Sequence, residues 1–121
     1  MTEGGSPRYV FHLTARAAYA AALEAGVYEA PSLASEGFVH CSTRSQIQRT
    51  AERFFRGQAG LVILCLEAQK LGAALKYEPA DGELFPHVYG SIAVDAIVAV
   101  IDFPAHADGG FELPEELTVF G

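Results

Sequence analysis

Aromatic and aliphatic residues alternate with polar ones through "RYVFHLT", a period of two that predicts a strand from Arg8 to Leu13. The rhythm then changes. Thr14 can cap a helix in which Ala15, Ala18, Tyr19, Ala22 and Leu23 recur at intervals of three and four, and Gly26 is placed to end it. "YEAPSLASEG" has no period, is broken by Pro31 and closed by Gly37, and reads as a loop. Phe38 to Cys41 forms a short strand running into a second helix. Thr43 with Gln46 three residues on is a capping-box pattern, in which the hydroxyl accepts an early helix N–H and the amide reaches back. Ile47, Ala51, Phe54 and Phe55 supply that helix's buried face, which ends near "RGQAG".

The second half is dominated by strands. "LVILCLEA" and "AIVAVIDF" are apolar without alternation, as expected of strands covered on both faces. Between them, "KLGAALKYEPA" reads as a short helical piece leading into a strand, and Asp81-Gly82 is a hairpin turn before "ELFPHVYGSI". Pro86 demotes part of that returning strand to an edge or a bulge. "GGFELPEEL" finishes at an edge. Helices early and strands late give an α+β class, two N-terminal helices laid on a compact sheet or pair of sheets.

At 121 residues the chain has the size of one domain, residues 1–121 with a core at about 8–104. Half of it is hydrophobic, which excludes disorder as a description of the whole. The longest apolar runs are too short for a membrane span, and "MTEGGSPRY" lacks the basic start and apolar stretch of a secretory signal, so a soluble cytoplasmic protein is expected. The net charge of −7 argues against a general nucleic-acid grip. Arg44, Arg49, Arg53 and Arg56 cluster locally, either as solvated helix-face charges or as a small anion-binding face. Cys41 and Cys65 sit among apolar neighbours without CxxC spacing and are expected to be buried reduced thiols.

Four histidines stand at 12, 40, 87 and 106, the first three near strand ends. Alternation puts His40 on a face with Phe38 and Ser42, His87 with Tyr89, and His12 with Val10 and Thr14. Each can be a core or edge residue with a satisfied hydrogen bond; together they are what a site assembled from several strand ends requires. Three histidines match the ligand count of a catalytic zinc site, but no HxH or HExxH pair supplies local geometry. Ser42 or Cys41 beside His40 invites a nucleophile, though adjacent strand residues point apart. "HCST" also opens a helix with Arg44 in its first turn, a place for a phosphate or carboxylate, with no glycine-rich phosphate loop behind it. Glu78 could orient a histidine or stabilise a cationic transition state, whereas Glu83 reads as a solvent-facing strand residue.

In this order, "HLT", "EGFVHCST" with Gln46, "LVILCLE", "KYEP" and "FPHVYG" resemble the small bacterial family known as domain of unknown function 952, from about Tyr9 to Asp102. The family carries no established activity. It looks like a remote relative of the ADP-ribosyltransferase superfamily, whose members bind NAD in a cleft of a split sheet. The likeness implies a compact split or two-sheet β core, with His12 at the first-strand position that contacts the ribose or amide of NAD. His40 with Ser42 and Thr43 matches the second position. At the third, no Gln-x-Glu motif exists, and Glu78 or His87 stands in, His87 being similar to the histidine-rich branch that includes RNA 2'-phosphotransferases.

The resulting expectation is a site for NAD or an ADP-ribosyl-type nucleotide. His40, His87 and Glu78 would be catalytic, and His12, Thr14, Ser42, Thr43 and Tyr89 would surround the ligand, with no metal. The reaction would be cleavage or transfer at the nicotinamide–ribose bond. A non-catalytic small-ligand or protein-binding module and a His-ligated metal-dependent hydrolase are the two alternatives.

Overall fold

Six consecutive side chains, Leu61 to Leu66, are at most 2% exposed, and this run forms the middle of the molecule. The computed structural model describes residues 7–120. In it β4 (Leu61–Glu67) lies between β1 (Tyr9–Ala15) and β8 (Ile97–Asp102), antiparallel to both. Both faces of β4 are covered, which is why its sequence does not alternate. Val62, Leu64 and Leu66 join Val10, Tyr28, Val39, Cys41, Val88 and Ile92 in one core. Leu61, Ile63 and Cys65 join Phe11, Leu13, Ile47, Ala51 and Phe103 in the other.

A second three-stranded sheet has β6 (Glu83–Val88) between β3 (Val39–His40) and β5 (Leu75–Ala80). A two-stranded ribbon pairs β2 (Val27–Tyr28) with β7 (Ile92–Ala93). Four helices accompany them: α1 (Arg16–Ala25), α2 (Pro31–Glu36), α3 (Ile47–Phe54) and the single turn α4 (Ala68–Leu71). The class is therefore α+β, with the β structure divided among three hydrogen-bonded pieces instead of one split sheet or two sheets. Phe11 and Ser42 exchange backbone bonds of 2.8 and 2.7 Å, tying β1 to the chain just beyond β3. Among the described residues no helix is long and apolar enough to cross a membrane.

Several local expectations are corrected. Thr14 remains in β1; Ala15 is the N-cap of α1 and makes no side-chain cap, while Gly26 ends the helix in the left-handed conformation. The segment read as a loop holds α2. Pro31 starts that helix, where its missing N–H leaves no bond unmade, and the Gly37 N–H closes it on Ser32 and Leu33. The capping box is half made. Thr43 N–H donates to Gln46 Oε1 at 3.0 Å, but the Thr43 hydroxyl lies 3.2 Å from Ser45 Oγ, and α3 begins later, at Ile47.

Phe54 is 66% exposed, and Phe55 takes the packing role beside Ile47 and Ala51. β8 is an edge strand, and its pairing skips Val98 because Cys65 opposes Ala99 while Leu66 opposes Ile97. "GGFELPEEL" forms no strand; Phe111 and Leu117 plug the second core ahead of and within a 3₁₀ turn at Glu115–Phe120. Pro86 lies on the middle strand of its sheet, at the point where β3 stops. Cys41 N–H donates to the Pro86 carbonyl, and proline has no N–H to return.

Candidate functional site

The register of the second sheet sets His40 opposite His87 and His87 opposite Lys76, so these three side chains share one face. Alternation adds Phe38, Glu78 and Tyr89 to that face and sends Val39, Cys41 and Val88 into the core. His87 Nδ1 lies 2.7 Å from Glu78 Oε1, and the Tyr89 hydroxyl donates to the same oxygen at 2.7 Å. Since a carboxylate accepts, Nδ1 carries the proton, and Nε2 is the nitrogen left for a ligand. The Tyr89 hydroxyl, followed by the His87 bond, holds Glu78 below the ordinary carboxylate range. The same bond to Glu78 raises the Tyr89 phenol.

Phe38 lies over the His87 ring, centroids 4.1 Å apart and planes 24° from parallel, and buries it. The His40 ring meets His87 edge-on at 5.4 Å, and its Nε2 lies 3.0 Å from Glu36 Oε2. Two Glu–His pairs thus stand side by side around one phenyl ring, His87 covered and His40 exposed. Phe38's place was readable from its alternation with His40. Glu36 precedes His40 by four residues across the turn at Gly37, and no sequence period marks that pair.

The structure places His12 and Thr14 behind this face. His12 is buried, with Nδ1 2.6 Å from the carbonyl oxygen of His40 and Nε2 2.7 Å from the Tyr28 hydroxyl, itself 3.0 Å from Thr14 Oγ1. Burial lowers its pKa to about 4. At neutral pH the ring is therefore uncharged: Nδ1–H donates to the carbonyl, and the Tyr28 hydroxyl lies between Nε2 and Thr14 Oγ1 as acceptors. Both nitrogens are committed. His12 supports the backbone that presents His40, and Tyr28, absent from the sequence-derived set, completes the chain.

Ser42 is buried toward α3, its hydroxyl bonding Thr50 Oγ1 at 3.2 Å, and Thr43 lies in the turn before that helix. Burial pushes both Cys41 and Cys65 up to about 12, so both are protonated, inert thiols. Three of the four clustered arginines are tied down internally: Arg49 to Glu83, Arg53 to Asp81 and Arg56 to the Asp108 carbonyl. Among the described residues no group of three or more His, Cys, Asp or Glu is arranged to hold a metal ion.

Residues 13–100 match the model of the family described as "Protein of unknown function (DUF952)". The chain belongs to that family. It is similar to the crystal structure of protein CC0527 from Caulobacter crescentus, at 37% identity and a TM-score of 0.84, covering 91% of this chain and 98% of that one. The solution structure of CC0527 is similar at 36% identity and a TM-score of 0.78, covering 93% and 98%. No curated protein matches the chain. These relatives carry no ligand or reaction in their descriptions, and they lend the ADP-ribosyltransferase likeness no support.

Proposed function

We propose that the outer face of the β3–β6–β5 sheet binds a nucleotide of NAD type, with His87 and His40 acting on it as oriented acid–base groups. The observation that carries this reading is the pairing of two carboxylate-held histidines, 5.4 Å apart, around Phe38. Phe38 and Tyr89 offer flat surfaces to a ring, and the two carboxylates suit a cationic one such as nicotinamide. Both bonds to Glu78 use Oε1, which leaves Oε2 for positive charge developing at the ribose. Cleavage would break the bond between ribose C1′ and the nicotinamide nitrogen, the electron pair leaving with nicotinamide. An incoming hydroxyl would bond to C1′ and give its proton to His87 Nε2.

A non-catalytic module is the second reading, favoured by the openness of the face, where His40 and Tyr89 are exposed. A three-histidine metal hydrolase requires His12, and both of its nitrogens are used inside the fold.

Calorimetric titration with NAD, on the wild type and on His40→Ala and His87→Ala, tests the proposal together with chromatographic assay of nicotinamide. Binding lost in His87→Ala with the fold intact supports the site, and nicotinamide release adds the reaction. Binding without release assigns the face to a module. No binding by folded wild type removes NAD.

A further inference from the structure

Of the clustered arginines, Arg49 and Arg53 hold carboxylates and Arg56 holds a backbone carbonyl, and Arg44 alone has no hydrogen-bonded or ion-pair partner among the described residues. It is half-buried, in a chain with 15 acidic and eight basic residues, where carboxylate partners are plentiful. None of the described residues supplies Arg44 with a counter-charge, and a guanidinium held partly out of water gains from an anionic visitor. Arg44 lines a groove of about 410 Å³, within the size range of small-molecule sites.

The groove has two kinds of wall. Thr43, Arg44 and Ser45 form the polar side, the two hydroxyls 3.2 Å apart and bonded only to each other's oxygen in that turn. Tyr9, Phe11, Leu113 and Phe120 form the apolar side, with Tyr9 and Phe120 locked edge-to-face at 5.1 Å and 88°. We infer that this groove binds an aromatic phosphate monoester, with the phosphate on Arg44 and the hydroxyls and the ring against Tyr9 and Phe120. A phosphate's three terminal oxygens can take the guanidinium fork on two and a hydroxyl on the third, and its larger charge suits a cation without a partner. The site is independent of the histidine face, since none of its lining residues belongs to that face.

The test is an amide-resolved NMR titration with phenyl phosphate and, separately, inorganic phosphate, on the wild type, Arg44→Gln, Arg44→Lys and His87→Ala. The expected result is saturable shifts at Thr43, Arg44 and Ser45 in the wild type. Inorganic phosphate should bind several-fold more weakly than the ester. Arg44→Gln should weaken the ester about tenfold, the loss of one charge-assisted contact, with Arg44→Lys intermediate and His87→Ala unchanged. Lack of saturable shifts at residues 43–45 in the wild type overturns the inference. Equal affinity for inorganic phosphate, full binding by Arg44→Gln, or a matching loss in His87→Ala does so too. If Arg44→Gln fails to fold, Arg44→Lys decides, and wild-type affinity in Arg44→Lys counts against the bidentate role.

Discussion

A buried histidine that stays neutral leaves a mark on stability. The His12 pKa falls from 6.5 to about 4 on folding because burial penalises the cation. Between those two values the unfolded chain binds more protons than the folded one, so stability rises with pH across that window and is lost as pH falls through it. The full effect is about 3 kcal/mol, reached below pH ~4. Urea denaturation at a series of pH values should show this slope in the wild type, and a smaller one in His12→Gln. Equal slopes would mean that His12 titrates alike in both states. Glu78 makes a second residue-scale prediction. Because its bond raises the Tyr89 phenol, Glu78→Gln should bring the Tyr89 titration back toward the ordinary range, read from the ring carbon shift in NMR. The residue types of the face were legible in the sequence. What alternation could not reveal is that His12, sharing a face with Val10, looks into the core and touches His40 only through the backbone.

Elements announced themselves where a single local rule governs them. Asp81 and Gly82 adopt φ of 53° and 81°, the paired left-handed geometry that a two-residue hairpin demands, and the hairpin is where the sequence puts it. A Cβ on Gly82 would meet nothing within 4 Å, so Gly82→Ala tests conformational strain alone. It should cost about 1 kcal/mol in urea or thermal denaturation, with no change in packing. Elements that depend on distant neighbours were less legible. "AIVAVIDF" and "LVILCLEA" look alike as strings, yet one is an edge with a bulge at Val98 and the other is covered on both faces. The difference is which strands pair with them. Pro31 breaks a helix or begins one according to position, and only the turn at Gly37 distinguishes the two.

At the scale of the molecule, β4 is a wall shared by two cores, and the candidate face depends on both. β3, which carries His40, has only two paired residues and would be marginal alone. Its position is fixed from the core side by Val39 and Cys41, from β1 by the Phe11–Ser42 bridge, and from below by the bond from His12. Ser42 then faces Thr50 on α3, a helix whose Ile47 and Ala51 belong to the other core. Loosening either core should therefore loosen the whole chain. Leu64→Ala opens a cavity in the first core and Ile63→Ala in the second, each expected to cost 2–5 kcal/mol by the usual range for buried aliphatic truncations. In denaturant each variant should unfold in one transition, with the tyrosine signal and the far-ultraviolet circular dichroism moving together. A variant whose two probes separate would show that the cores unfold independently, and the histidine face would then rest on the first core alone.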